Sequence, residues 1–394
     1  MKLSRRISNL GFYAFAEVES KVQVLKDKGI KPVDFGVGDP IEPTPEIIRE
    51  ALKKAADERK TSGYPSYVGD TKYLAKIAEW TKNRFDVELD PKTEITSTVG
   101  SKEAVFNFPL AFVDEGDVVI SPTPGYPPYQ RGTSFAGGTN YLLPLLPENN
   151  FMMDIDSIPE EVAQKTVIMW INYPSNPCGA QANPEFFKKV IEFGRKYDVI
   201  IASDECYTEI YFNEGNKPHS ILEYAEKDDK VVAFHSFSKR SNMTCYRLGW
   251  VAGNADVIAA FRKVKTNVDS GTPTFIQDAG IEALNDESHV ATQRAIYKRK
   301  GEIIRKAFSE LGLEDCFPEA TFYIWQKIPD QYESSVDFAK ELLREDIGVI
   351  ATPGEWISDE VNGINPGKKY VRFALVPSEE EIELAMEKIK KALS

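Results

Sequence analysis

Cysteine and histidine are scarce in this chain of 394 residues, which has four cysteines and three histidines. The cysteines, Cys178, Cys206, Cys245 and Cys316, form no CxxC pair, and no cysteine has the spacing to a histidine that a zinc site requires. This pattern predicts free thiols in a reducing compartment and no bound metal.

Long apolar runs and an excess of positive charge are also missing. No stretch approaches the ~18 consecutive apolar residues of a membrane-spanning helix. Residues 1–19 lack the continuous apolar segment of a secretory signal. The formal net charge of −13 argues against a nucleic-acid partner, because phosphate backbones are bound by clustered Lys and Arg. We therefore expect a cytoplasmic protein that binds neither membrane nor nucleic acid.

The chain is long enough for more than one packed core, and its 42% apolar and 28% charged residues are ordinary for a globular enzyme. Short apolar segments typical of buried strands alternate with amphipathic helices such as residues 184–197. This alternation predicts an α/β fold with a mostly parallel sheet. The predicted strands include residues 117–121, 167–172, 199–204, 231–236 and, in a later unit, 321–325.

The pattern changes in the last third of the chain, which indicates a second domain. Long helices are predicted near residues 275–284 and 289–311, and shorter strands and helices follow them. The first forty or so residues are expected to join this smaller unit. We therefore predict a large domain of residues 46–285 and a small domain of residues 1–45 and 286–394.

Three of the predicted strands end in polar residues, namely Asn172, Asp204 and Ser236. Ligands of α/β sheets bind in the crevice outside the carboxyl ends of the strands. The sequence therefore predicts a reactive site at one edge of the sheet.

The segment that follows Ser236 combines an amine with groups that bind anions. An amine such as that of Lys239, surrounded by arginine charge and apolar walls, is expected to have a lowered pKa and to attack an aldehyde. Ser236, Ser238 and Arg247 would then hold a phosphate. A solvated basic loop is the alternative interpretation.

Asp204 and Tyr207 are close enough in sequence to face the same crevice. An aspartate beside a pyridine ring keeps the ring nitrogen protonated, and Tyr207 can donate to the ring oxygen. Asn176, in a proline-rich turn, can point its amide at that oxygen or at a substrate carboxylate. The alternatives are a helix cap for Asp204 and an ordinary turn around Asn176.

Four further segments carry candidate binding residues. A strand gives way to a helix at Ser101 and Lys102, where free amides can receive phosphate. Tyr126 can stack on a planar cofactor. Arg372 lies in an apolar segment and needs an anion, which a substrate carboxylate would supply. Tyr64 lies in a polar, aromatic loop suited to reaching a neighbouring subunit or a ligand. An ordinary helix start and core packing are the alternatives for the first two segments.

Together these motifs resemble those of the fold-type I, class I and II aminotransferases, over essentially the whole chain. The resemblance implies a large domain with a mostly parallel seven-stranded sheet, a smaller α+β domain, and pyridoxal 5'-phosphate (PLP) as cofactor. It makes Lys239 the Schiff-base lysine and Asp204 the partner of the ring nitrogen. Tyr207 and Asn176 become the donors to the ring oxygen, and Tyr126 becomes the stacking residue.

The same resemblance implies a phosphate site, a carboxylate site and a dimer. The phosphate site is matched by Ser101, Lys102, Ser236 and Arg247. Arg372 and the backbone near Gly38 match the site of the substrate α-carboxylate. Tyr64 corresponds to a tyrosine that reaches the phosphate from the other subunit, which implies a homodimer with shared active sites. Tyr13 and Lys102 are candidates for the lining of the substrate pocket.

Some short motifs of the chain resemble one subfamily that acts on diaminopimelate, and other motifs resemble a second such subfamily. Segments 203–211, 236–242, 320–325 and 362–367 are similar to the succinyldiaminopimelate aminotransferases of lysine biosynthesis. Segments 64–70 and 100–103 are similar to the LL-diaminopimelate aminotransferases. The expected reaction moves an amino group from glutamate to a keto acid, N-succinyl-2-amino-6-oxopimelate. The alternatives are an LL-diaminopimelate or broad-specificity aspartate/alanine-type aminotransferase, a lyase or decarboxylase on the same fold, and a catalytically silent PLP-binding regulatory protein.

Overall fold

A computed structural model describes residues 1–8 and 16–393 of the chain. Its strands are β1 (Val33–Asp34), β2 (Ile95–Thr98), β3 (Val118–Thr123), β4 (Thr139–Pro144), β5 (Thr166–Asn172), β6 (Ile200–Asp204), β7 (Val231–Ser236), β8 (Gly249–Gly253), β9 (Tyr323–Lys327), β10 (Val349–Ile350), β11 (Thr352–Pro353) and β12 (Tyr370–Ala374). Its helices are α1 (Arg5–Ser8), α2 (Ala16–Asp27), α3 (Glu46–Glu58), α4 (Thr71–Phe85), α5 (Ser101–Asn107), α6 (Pro128–Ala136), α7 (Glu160–Ala163), α8 (Pro184–Tyr197), α9 (Phe237–Arg240), α10 (Ala255–Val268), α11 (Thr274–Asn285), α12 (Ser288–Glu310), α13 (Ser335–Leu342) and α14 (Glu379–Leu393).

A seven-stranded sheet forms the centre of the molecule, in the order β2-β8-β7-β6-β5-β3-β4. Strands β3 to β7 pair with one another in parallel, and β8 runs antiparallel to both of its neighbours. All six residues of β7 are buried, as expected for a strand that is covered on both faces. The predicted α/β fold with a mostly parallel sheet is confirmed.

Two apolar cores cover the two faces of this sheet. Met169 and Ile171 of β5 belong to one core, and Ile168 and Trp170 belong to the other, because successive side chains of a strand point to opposite faces. Helix α8 has the predicted bounds and packs its apolar side into the first of these cores. The Asn183 side chain starts this helix by accepting a hydrogen bond from the amide of Phe186 at 2.9 Å.

The smaller unit has two small sheets and its own core. Strand β12 pairs antiparallel with β11 and β9, and β1 pairs in parallel with β10. Helix α12, 23 residues and so roughly 35 Å long, packs against α14. Strand β9 begins two residues later than the prediction, because Thr321 adopts a left-handed backbone conformation with φ of 71°.

The predicted boundaries near residues 45 and 285, and the predicted cytoplasmic location, stay predictions. None of the helices in the described residues has both the length and the apolar composition of a membrane-spanning segment. In the same part of the chain, no group of three His, Cys, Asp or Glu residues is placed to hold a metal ion.

The core on one face of the large sheet depends on Phe108, which is fully buried against the rings of Trp170, Phe234 and Phe261. We expect Phe108→Ala to lower the free energy of unfolding by about 3–5 kcal/mol, because it removes apolar contacts and leaves a cavity. Leu110→Ala, at an exposed position two residues away, is the matched control and should change it by less than ~0.5 kcal/mol. Denaturant titration measures both values, and equal losses would contradict the packing described.

Candidate active site

A cavity of about 710 Å³ lies at the carboxyl ends of β5, β6 and β7. Its wall contains the predicted residues Gly38, Ser101, Lys102, Tyr126, Asn176, Asp204, Tyr207, Ser236, Ser238, Lys239, Arg247 and Arg372. Tyr64 does not line the cavity and is 89% exposed, while Tyr13 lies outside the described residues. Segments that are far apart in sequence therefore meet around one space.

Lys239 lies on the short helix α9, immediately after β7. The Ser236 hydroxyl starts this helix by accepting a hydrogen bond from the amide of Ser238 at 3.1 Å. The Lys239 Nζ donates to the carbonyl oxygen of Gly38 and lies 5.5 Å from the centroid of the Phe322 ring. The amine is therefore held at the cavity wall, between a neutral acceptor and an aromatic face.

Asp204 ends β6, and its side chain is buried. The Tyr129 hydroxyl donates to Asp204 Oδ2 at 2.7 Å, and the amide of Cys206 donates to Oδ1 at 3.3 Å. Burial raises the pKa of Asp204, and the hydrogen bond from Tyr129 opposes that rise. A positive charge in the cavity would favour the ionised carboxylate further.

Asn172 connects the Asp204 strand to the loop that carries Asn176. Its Nδ2 donates to the carbonyl oxygen of Asp204 at 2.8 Å, and its Oδ1 accepts from the amide of Asn176 at 2.9 Å. Nearby, the hydroxyls of Tyr207 and Tyr323 are 3.5 Å apart. Burial raises the pKa of Tyr207 well above its usual range, so its hydroxyl stays protonated and can donate.

Arg247 provides a cation beside the start of α5. Its Nη1 donates to the carbonyl of Thr244 at 2.7 Å and its Nη2 to that of Val99 at 3.4 Å, and no carboxylate of a described residue pairs with it. Gly100 has a φ of 73°, and a Cβ at this position would lie 2.1 Å from Arg247 Nη2. Only glycine lets the guanidinium approach the helix start, where free amides and a cation together can bind an anion.

Arg372 is a second cation whose described partners are neutral. Its Nη1 donates to Asn176 Oδ1 at 3.0 Å and its Nη2 to the carbonyl of Gly36 at 2.8 Å, while its buried Nε has no partner among the described residues. The guanidinium lies 4.6 Å from the centroid of the Tyr323 ring. Its charge is therefore available for a carboxylate, which the planar group can bind with two parallel hydrogen bonds.

Sequence reasoning missed Tyr129 and Tyr323, which shape the site, and it gave Asn172 no role beyond the end of a strand. The spacing of Tyr129 from Tyr126, one helical turn, was a usable signal for a second aromatic residue near the site. Asn172 was recognised only as a strand end, and its two hydrogen bonds depend on how β5 pairs with β6. Nothing in the local sequence around Tyr323 indicates its contacts with Tyr207 and Arg372.

The chemistry of these groups fits PLP. Lys239 offers an amine for an aldehyde, and Asp204 offers a buried carboxylate for a protonated ring nitrogen. Arg247, without a carboxylate partner among the described residues, lies beside free helix amides as a phosphate group requires. Asn176 and Tyr207 supply donors on the same wall.

Comparisons with known proteins agree with this chemistry. The family described as "Aminotransferase class I and II" matches residues 30–389. An LL-diaminopimelate aminotransferase of Aquifex aeolicus is 46% identical over 99% of this chain and 98% of its own length, and one of Syntrophobacter fumaroxidans is 44% identical over 98% of each. A solved structure from Thermus thermophilus, described as a probable N-succinyldiaminopimelate aminotransferase, has a TM-score of 0.87 and 27% identity, and the match covers 96% of this chain and 99% of that one.

The family match spans most of the chain, and the relatives match it almost from end to end. The predicted family, fold and cofactor are therefore confirmed. The chain belongs to the class I and II aminotransferases, and it is a PLP-dependent enzyme that acts on amino acids and keto acids.

Proposed function

We propose that this enzyme is an LL-diaminopimelate aminotransferase that exchanges an amino group between LL-diaminopimelate and 2-oxoglutarate. The geometric support is the single cavity that contains Lys239, Asp204 and Arg372. The support for the substrate is the name shared by the relatives at 46% and 44% identity. The succinylated substrate, which the short motifs favoured, becomes the weaker candidate because the structure with that description is 27% identical.

PLP, when bound, draws electrons from the substrate α-carbon into its ring. Asp204 is assigned the role of holding a proton on the ring nitrogen, which its burial and its hydrogen bond from Tyr129 support. The Lys239 Nζ is assigned the proton transfer at the α-carbon, since it is the amine that lines the cavity beside the carbonyl of Gly38.

The remaining residues orient the reactants. Arg372 is assigned the α-carboxylate, because its partners are neutral and its Nε has none among the residues that the structure describes. Asn176 and Tyr207 are assigned hydrogen bonds to the ring oxygen, and Tyr126 the stacking contact with the ring. The phosphate is assigned to Ser101, Lys102, Ser236, Ser238 and Arg247.

Lys239→Ala tests the assignment of the amine. We expect turnover to fall by about 10²- to 10⁴-fold or more, because no other group takes over the proton transfer. PLP should still bind, but without the visible absorbance of the lysine-linked cofactor. The control is Lys298→Ala, which removes an exposed lysine of α12 and should preserve both activity and absorbance. Full amine transfer by Lys239→Ala would contradict the assignment.

A panel of substrates tests the reaction. The unaltered enzyme with 2-oxoglutarate should use LL-diaminopimelate at a kcat/KM at least about tenfold above those for N-succinyl-LL-diaminopimelate and alanine, since a site built for one set of polar groups rejects analogues that lack them. Glutamate formation is the measurement. A preference for the succinylated compound would contradict the proposed substrate.

The same panel tests the reaction class. Product formation without a keto-acid acceptor would indicate a lyase or decarboxylase, and no amine transfer at all would indicate a regulatory protein.

We further propose a homodimer in which each active site takes Tyr64 from the other subunit. The exposure of Tyr64 and of the apolar side chains Val37, Ile41 and Tyr67 supports a surface that another chain covers. Val37 also lines the cavity, so one of these exposed apolar side chains lies at the site itself.

Mixing two variants tests the shared site. Lys239→Ala and Tyr64→Ala, refolded together, should form heterodimers with one intact site each and recover up to about a quarter of the unaltered activity. The control mixes Tyr64→Ala with a chain that carries both changes, because no complete site can form in that mixture. Equal activity in the two mixtures would refute the shared site.

A further inference from the structure

Two cations on the cavity wall differ from the others because their side chains have no hydrogen-bond or ion-pair partner among the described residues. Arg131 and Lys102 both line the cavity and are exposed, and neither forms an ion pair or side-chain hydrogen bond with another described residue. The acidic residues of the same wall are Asp39 and Asp204, and Asp204 already accepts from Tyr129. The described wall therefore carries an excess of positive charge that suits an anionic substrate.

Arg131 is turned toward the cavity by its place on α6. The amide of Arg131 donates to the carbonyl of Pro127 at 3.1 Å, which completes one helical turn. Residues four apart lie on the same face of a helix, and both of these residues line the cavity. Trp356 and Ile357 line it as well, and the amide of Gly125, just before α6, donates to the carbonyl of Ile357 at 3.3 Å. Arg131 therefore lines one wall of the cavity, and its exposed side chain is accessible to a ligand there.

The other two arginines of the cavity wall already have proposed ligand groups. Arg247 lies beside the start of α5, where a phosphate fits, and Arg372 contacts Asn176, where an α-carboxylate fits. A cavity of about 710 Å³ leaves room beyond the head group of an amino acid. LL-diaminopimelate, glutamate and 2-oxoglutarate all carry a second carboxylate, and a guanidinium can bind it with two parallel hydrogen bonds.

We propose that Arg131 binds the second carboxylate of dicarboxylic substrates and so determines the preference for them. This inference rests on the proposed aminotransferase reaction and extends it to the side-chain end of the substrate. Lys102 adds positive charge on the same wall, but its terminal ammonium cannot form the two parallel hydrogen bonds that the guanidinium of Arg131 can offer to a carboxylate.

Arg131→Gln tests this role in amine transfer. For glutamate and LL-diaminopimelate, kcat/KM should fall by about 10- to 100-fold, mainly through KM, because a charge-assisted contact is lost. For alanine, which lacks the second carboxylate, the change should stay below about twofold. Arg131→Lys should recover part of the loss, since it keeps the charge. Arg299→Gln, at an exposed position on α12, removes the same charge elsewhere and should have no effect.

A binding measurement separates a contact with the carboxylate from a general effect on structure. Glutarate, a dicarboxylate that cannot react, should bind Arg131→Gln about tenfold or more weakly than the unaltered holoenzyme, while butyrate should bind both equally. Equal losses for glutamate and alanine, or unchanged glutarate binding, would overturn the proposal. If the unaltered enzyme used glutamate but not LL-diaminopimelate, the proposed substrate would fail, and the comparison of glutamate with alanine would still decide the role of Arg131.

Discussion

The parallel pairing of β5 with β6 is the constraint on which the candidate site depends. Asn172 and Asp204 are partners in the register of these two strands, so their side chains emerge side by side at the edge of the sheet. The side-chain amide of Asn172 then makes two hydrogen bonds: its Nδ2 donates to the carbonyl oxygen of Asp204, and its Oδ1 accepts from the backbone amide of Asn176. A shift of one residue would turn the Asp204 side chain to the opposite face and remove it from the cavity.

Segments from both ends of the chain complete this edge. The carbonyls of Gly36 and Gly38, from the amino-terminal part, accept hydrogen bonds from Arg372 and Lys239. Gly38 cannot be replaced without movement of its neighbours, since a Cβ there would lie 2.0 Å from the hydroxyl of Tyr323. The segments around Gly36, Gly38 and Arg372 therefore form the end of the cavity to which the α-carboxylate is assigned, and the large sheet carries groups assigned to the cofactor.

Short motifs did not separate the two diaminopimelate subfamilies, because several of these motifs surround groups that both subfamilies need. Residues 203–211 and 236–242 surround Asp204 and Lys239, which the proposed chemistry needs whatever the substrate is. Such segments are poor guides to specificity, because they carry the groups assigned to the cofactor rather than groups assigned to the side chain of the substrate. Identity over the whole length, 46% with an LL-diaminopimelate aminotransferase, also includes the segments that line the rest of the cavity.

The sequence by itself determined the elements whose signals are local. Buried strands that end at Asn172, Asp204 and Ser236 are visible as apolar runs, and a lysine among hydroxyls and arginines after Ser236 marks this segment as the candidate site for an anion. Only the tertiary structure decided which distant groups meet: Tyr129 beneath Asp204, and Tyr323 against Arg372. Those contacts depend on strand register, including the pairing of β12 with β9 that places Arg372 and Tyr323 on neighbouring strands, and local periodicity does not encode it.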